Sequence, residues 1–402
     1  LILVDLAAKS GYNVLHGKAP FFGGMFMEHY LDNSATTRVS DAAAQAALSA
    51  MTQCYGNPSS THTKGREAKK LLDTARKQVA DALGCTPEEL VFTSCGSESD
   101  NWAILGGAEY MKRRGRHVIS SAVEHDAVRR SLDILEERGF EVTRLMPDAT
   151  GAISAEAVMN ALRGDTVLVS LMLVNNETGA VTDIAAIARS LKKAGSSALL
   201  HTDAVQAFMK LPFSARTLGA DMISVSGHKI HAPKGIGALY IKRGLKLKPF
   251  IVGGSQENGR RAGTEAMPQI AAMGAACAEA RAEMGEYVPR MAALKARLVE
   301  RLSREIPEFT YVDTPAPHIL SISLPGWRSE VLMNYLESKE VYVSKSSACK
   351  KGGRSHVLEA IGLKSDVIDG AIRVGLCRFT TEEDIDALCA ALAEAHDTLA
   401  HR

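Results

Sequence analysis

A chain of 402 residues, 46% hydrophobic and 23% charged, has the composition of a folded protein with room for one large core and a second, smaller one. Forty-seven basic residues against 46 acidic ones leave a formal net charge of +1, which excludes the broad basic field of a nucleic-acid binder and points to a small-molecule ligand. No apolar run reaches the roughly 18 residues that a membrane span requires, the longest, Val167 to Val174, being broken by Ser170.

Taken in chain order, residues 1–26 lack the basic start and apolar core of a signal peptide and do not begin with Met. They are expected to be an extension or atypical arm, with Met25 or Met27 as the native start. Residues 64–83 then place Ala68, Leu71, Leu72, Ala75, Val79 and Leu83 on one stripe, the spacing of a helix packed on a sheet. Short apolar, β-rich runs follow: LVFTS, HVISS, VTRLM, TVLVSLMLV, ALLHTDA, DMISVS and GALYIK, most of them separated by helical stretches. Such alternation predicts an α/β fold whose large domain, residues 27–284, holds a mostly parallel, seven-stranded sheet covered by helices. Beyond Thr264 an Ala-rich helical region containing Pro289 extends to about Arg304, and TYVD, ILSISL, VYVS and AIRVGL then alternate with helices. A smaller α+β domain over residues 285–402 is the economical division, with the first residues of the large domain packing on it.

In an open parallel sheet, functional residues collect beyond the C-terminal ends of strands. Four such ends carry polar residues: Cys95-Gly96-Ser97, Asn175-Asn176-Glu177, Asp203, and Gly227-His228-Lys229, the last within SVSGHKIHAPKGIG. A Gly-Ser turn entering a helix offers free N–H groups and a positive helix end for a phosphate. A carboxylate suits a protonated ring nitrogen, and a lysine can form an imine. Together these are the requirements of pyridoxal 5'-phosphate chemistry. Taken singly each has a plainer explanation, as a helix cap, a turn residue or a solvated side chain.

The segments YLDNSATT, YGNPSSTH, FTSCGSESDN, VEHDAV, VNNETG, HTDAVQ, SGHKIHAPKGIGALY, RAGT, SSAC and IRVGLCRFT, from about Tyr30 to Arg378, resemble the cysteine desulfurases of the iron-sulfur-cluster-assembly type, within the class V aminotransferase group. The resemblance implies that Lys229 holds the cofactor covalently. Gly96, Ser97, Ser226 and His228 would then lie at its phosphate, Asp203 at the pyridine nitrogen, Gln206 and Asn176 near the ring oxygen, with Asn176 also at the substrate, and His125 on the ring face as a catalytic group. Arg373 would grip the substrate α-carboxylate, and Thr264 would reach the phosphate of a second subunit, making a homodimer. The implied reaction converts L-cysteine to L-alanine, leaves the sulfur as a persulfide on Cys349, and passes it to an acceptor protein such as a cluster scaffold. A selenocysteine lyase or another class V aminotransferase is the alternative, and a non-catalytic scaffold keeping the pocket is the alternative from another class.

Seven cysteines are scattered with no Cys-x-x-Cys pair to hold a metal or a redox disulfide, the pattern of a reducing, cytoplasmic setting. Cys349 lies in the polar, glycine-containing VSKSSACKKGGRSHVLEAIG, where a buried structural cysteine would be out of place. Lys345, Lys350 and Lys351 are expected to supply positive charge that favours its thiolate. The sequence departs from the family where Lys345 and Ser346 precede Ser347, where Lys350 follows Cys349, and at Cys95 and Cys377, which stand in place of small residues; either thiol could sit near the cofactor, with inertness the expectation for both.

Overall fold

The computed structural model describes residues 28–345 and 353–399. Its strands, in chain order, are β1 (His29–Tyr30), β2 (Leu90–Thr93), β3 (His117–Ser121), β4 (Glu141–Leu145), β5 (Thr166–Ser170), β6 (Leu199–Asp203), β7 (Met222–Ser226), β8 (Gly237–Ile241), β9 (Thr310–Tyr311), β10 (Ile319–Ser323), β11 (Val341–Tyr342), β12 (Ser344–Lys345) and β13 (Ala371–Gly375). Seven form one sheet in the order β2-β8-β7-β6-β5-β3-β4. All are parallel except β8, which runs antiparallel to β2 and β7.

Neighbouring residues of one strand enter opposite layers because side chains alternate across a sheet. Leu168 and Met222 join Trp102, Ile104 and Leu132 on one face, while Val169 and Ile223 join Leu72, Val79, Phe208 and Ile270 on the other. Covered on both faces, six of these seven strands are buried at every residue, the edge strand β4 being the exception. The helix Thr63–Leu83 packs its predicted stripe into one of these layers. His62 caps its start by accepting from the Gly65 N–H at 3.3 Å, and Gly84 ends it at φ 70°.

A second sheet, β12-β13-β10-β9, is antiparallel and packs a separate cluster around Leu298, Leu320, Leu332, Val374, Ile385 and Leu392. The run VYVS, expected as one strand, divides between two sheets. Val341 and Tyr342 pair in parallel with β1, and after Val343 the chain turns so that Ser344 and Lys345 pair with β13. The helix Met267–Glu305 passes through Pro289 and joins the two clusters, with Ile270 and Ala276 in the first, Leu294 and Leu302 in the second, and Met284 packed against both.

Residues 28–40 form a strap. After β1 the Asp32 backbone bridges Gly375, and the chain then crosses to the large sheet, where the Thr37 and Ser40 N–H groups donate to the carbonyls of His228 (3.0 Å) and His231 (2.9 Å). The strap thus lies along the segment that carries Lys229. Among the described residues no helix is long and apolar enough to cross a membrane.

Candidate active site

The chain passes from β3 outward to β4 and then returns to the other side of β3 as β5, so the order of the sheet switches direction between β3 and β5. A crevice opens at such a point beyond the carboxyl ends of the strands. Here it is a cleft of about 390 Å³ into which five parallel strands deliver residues: Cys95, Gly96 and Ser97 after β2, Glu124 and His125 after β3, Asn176 and Glu177 after β5, Asp203, Val205 and Gln206 at the end of β6, and Ser226, His228 and Lys229 at the end of β7. Arg373 enters from β13 of the smaller sheet.

Lys229 sits at the end of a single 3-10 turn. Its Nζ donates to the main-chain carbonyls of Ser34 (2.5 Å) and Ala35 (2.7 Å) on the strap. Burial, followed by the Lys210 and Arg373 cations, brings its pKa down to about 7 against the opposing pull of Asp32 and Asp203. Much of this amine is therefore free base near neutrality, the form that attacks a carbonyl.

The Asp203 carboxylate accepts from the Val205 N–H at 2.9 Å. Burial raises its pKa, which His125 and Lys229 partly offset. His125 caps the helix Asp126–Glu137, its Nδ1 accepting from the Ala127 N–H at 3.1 Å, so the ring proton of the neutral form sits on Nε2.

The donor set fits pyridoxal phosphate on several independent features. Ser226 Oγ and Gln206 Oε1 are buried without a hydrogen-bond partner among the described residues, and such atoms are costly unless a ligand satisfies them. Gly96 and Ser97, in the first turn of the helical run that starts at Gly96 and includes the π-helical turn Trp102–Gly106, line the cleft, where a helix start favours an anion. Asp203 is a buried acid that a ring cation would match. A Cβ on Gly96 would stand 2.8 Å from Val205 Cγ2, on a side chain too stiff to yield. Gly96→Ala should therefore lower the thermal unfolding midpoint, by an overpacking cost of about 1–3 kcal/mol, and weaken cofactor retention. Unchanged melting and retention would show that the turn has slack.

Arg373 is 3% exposed and already engaged: it donates through Nη1 to the Asn176 carbonyl (2.9 Å) and through Nη2 to Asp32 (3.1 Å) and Ser344 Oγ (2.9 Å). Its Nε is buried and without a partner.

One expectation comes out differently: Lys345 is bound to Glu330 at 2.6 Å, so its charge is matched rather than free for a neighbouring thiol. Of the two extra thiols, Cys95 lines the cleft, whereas Cys377 is buried. Thr264 is exposed on a loop outside the cleft of its own chain, beyond Arg261, which is paired with Glu98 at 2.9 Å. Cys349, Lys350 and Lys351 lie outside the described residues. The chain on either side of them is anchored at the cleft. Ser344 pairs with Arg373 in the sheet, and Ser355 donates to Glu177 and caps the helix His356–Ala360.

Three acids, Asp100, Glu124 and Glu177, line the cleft inside FTSCGSESDN, VEHDAV and VNNETG. From the sequence Glu177 is only one of the polar residues at a strand end, and Asp100 and Glu124 carry no expected role. Burial raises Asp100 strongly, with Asp203 next in effect, and lifts Glu124 to about 8 and Glu177 to about 7. His201 lies 3.6 Å from Asp100, but burial pushes its pKa down to about 3, and it is a neutral hydrogen-bonding link between Ser170 and Ser224 rather than an ion-pair partner. Their signal was present as acidic residues in strand-end motifs, but nothing in the sequence says that they are dry.

This sheet, with a lysine, an acid and a helix N-terminus around its switch point, is that of a pyridoxal-phosphate-dependent enzyme of the aminotransferase class V kind. The family model described as aminotransferase class-V matches residues 29–388. The chain is 41% identical to cysteine desulfurase IscS of Methanosarcina thermophila over 370 residues, covering 91% of each chain. It is 42% identical over 367 residues to cysteine desulfurase IscS of Escherichia coli, covering 89% of this chain and 90% of that one. A solved NifS-like protein superposes with a TM-score of 0.87 at 37% identity, over 93% of this chain and all of the other. The chain belongs to the cysteine desulfurases of the class-V aminotransferase family.

Proposed function

We propose that this chain converts L-cysteine to L-alanine and takes the sulfur as a persulfide on Cys349, for delivery to an acceptor protein such as an iron-sulfur cluster scaffold. The observation that carries the reading is the convergence of Lys229, Asp203, Ser226 and Arg373, from two sheets, on one cleft. When bound, pyridoxal phosphate supplies an electron sink that loosens bonds to the substrate's α- and β-carbons. Lys229 would hold it, Gly96, Ser97, Ser226 and His228 would hold its phosphate, and Asp203 would keep its ring nitrogen protonated. His125 would face the ring, with Gln206 and Asn176 at its edge.

The protein's own groups then have defined tasks. Arg373 orients the substrate carboxylate with its planar fork, its free Nε being the donor that substrate adds to the existing set. The Lys229 amine takes and returns a proton, for which a pKa near 7 is well matched. The Cys349 thiolate attacks the substrate sulfur; the electron pair of the broken carbon–sulfur bond stays with carbon, which is protonated to the methyl of alanine. A thiol and a cysteine thus become a persulfide and alanine with atoms and electrons balanced.

The division into 27–284 and 285–402 is proposed to place the cofactor on one unit and Arg373 with Cys349 on the other, in keeping with the two separate apolar clusters. A second copy is proposed to complete the site, Thr264 being exposed away from its own cleft. The protein is proposed to work in the cytoplasm.

The test is to incubate the purified protein with L-cysteine, measure alanine and sulfide, and locate any persulfide by mass spectrometry. Transamination products without alanine would replace this reading with the aminotransferase one. Cofactor capture by the cofactor-free chain should also depend on pH. The Lys229 amine must be unprotonated to react, so the rate should climb about tenfold per unit below pH 7 and level off above it. A rate independent of pH between 5 and 8, followed by stopped-flow absorbance, would contradict the low proton affinity of Lys229.

A further inference from the structure

Lys229 borders a second cavity besides the cleft, with a volume of about 10 Å³, room for about one water. Lys210 lies in its wall. This side chain is 4% exposed, and its Nζ has no hydrogen-bond partner among the described residues. A buried, unpaired ammonium is among the costlier groups a protein can hold, and a methionine of similar length would fill the same space without that cost.

The surrounding groups leave the charge unmatched. Arg378, also in this wall, takes up the nearby carboxylates by pairing with Glu279 and with Glu283 at 3.1 Å. Burial raises the pKa of the Cys377 thiol, keeping it uncharged near neutrality. His228 and His231 are driven down to about 4, chiefly by burial, and the fully buried His318 is pushed well below its ordinary value, with Lys210 next after burial among the causes. Tyr287 donates to the Met209 carbonyl at 2.6 Å and is neutral. Asp32 and Asp203 act on Lys229, which also feels Arg373. Burial lowers Lys210 itself only to about 8, so it stays mostly charged at neutral pH. Among the described residues the one other amine on this cavity is that of Lys229.

We infer that Lys210 is a positioning residue that acts through Lys229: its unpaired charge, held in the cavity that the two side chains share, repels the Lys229 ammonium and keeps that amine in the free-base form that attacks a carbonyl. The inference rests on Lys229 being the lysine that carries the cofactor, but its test does not require the cofactor. The full chain, stripped of pyridoxal phosphate, is labelled competitively with trinitrobenzenesulfonate across the pH range, and peptide mapping gives the midpoint for Lys229. Lys210→Met should raise that midpoint by about one pH unit, cutting the labelling rate at pH 7 several-fold. Lys210→Gln, which keeps a polar head in the cavity, should do the same and serves if the Met variant does not fold. Lys210→Arg, charged throughout the range, should leave the midpoint in place or lower it. A midpoint unmoved in a folded uncharged variant overturns the inference, as does a rise in the Arg variant; a purely structural lysine would give the first of these. Borohydride fixing the cofactor on some other lysine would instead overturn the cofactor assignment and leave the measured midpoints standing.

Discussion

Cys349→Ser should yield a yellow protein that captures pyridoxal phosphate and changes its absorbance on addition of L-cysteine, yet forms alanine at least about 100-fold more slowly and carries no persulfide. Capture of cofactor and substrate needs only the cleft, which Lys229, Asp203, Ser226 and Arg373 build without Cys349. Cleavage of the carbon–sulfur bond needs a sulfur that accepts sulfur, and a hydroxyl is a far poorer acceptor than a thiolate. The two stages therefore separate in this variant. Because Lys345 is tied to Glu330, help for the thiolate falls to Lys350 and Lys351. Replacing these two with Ala should move the lower limb of the pH profile upward without abolishing turnover. Alanine and sulfide formed at the parent rate by Cys349→Ser, or a persulfide mapped to the cleft-lining Cys95, would overturn the assignment of the nucleophile while leaving the cofactor site in place.

Lys229→Ala should lose the covalent attachment of pyridoxal phosphate altogether and lower the rate of alanine formation on the order of 10³-fold or more, since in the proposed function one amine both holds the cofactor and moves the proton. Borohydride reduction of the parent should place the label on the peptide containing Lys229, and the variant should take up none. A label on any other lysine would sink the assignment. The same substitution carries a stability signature in the cofactor-free chain. The folded-state pKa of about 7 lies below the ordinary 10.5, so the unfolded chain holds this proton more tightly. Burying Lys229 therefore costs stability in full below about pH 7, and the cost fades as pH rises toward 10.5. Lys229→Ala should thus compare more favourably with its parent in melting temperature at pH 6 than at pH 10. A difference that does not change with pH would mean that the amine is not held in a dry site.

How much of this was legible follows from what each feature depends on. The seven runs of the large sheet were visible because six of the strands are buried at every residue and are accordingly rich in apolar, β-branched residues, and a local run carries that information by itself. The helix Thr63–Leu83 was visible through its stripe and its Gly84 terminus. The division of VYVS between two sheets was not, because it depends on β1 and β13 arriving on opposite sides of Val343 from distant parts of the chain. Likewise the strap was not foreseen as the acceptor of the Lys229 amine, since Ser34 and Ala35 contribute only main-chain carbonyls, which every residue has.

By itself the sequence determined the class of fold, the chemistry-bearing residues at four strand ends, and the resemblance that joins them to one reaction, because residue type and local spacing suffice for these. Only the tertiary structure decided that Asp100, Glu124 and Glu177 are dry acids with raised pKa values, that Lys345 is matched by Glu330, that Arg373 is held by Asp32 and Ser344, and that Lys210 stands unpaired on the cavity beside Lys229. The reason is physical: a proton affinity depends on desolvation and on charges within a few ångströms, and those neighbours are brought together by the crossing of the strap, the switch between β3 and β5, and the approach of β13, none of which is written in a local stretch of residues.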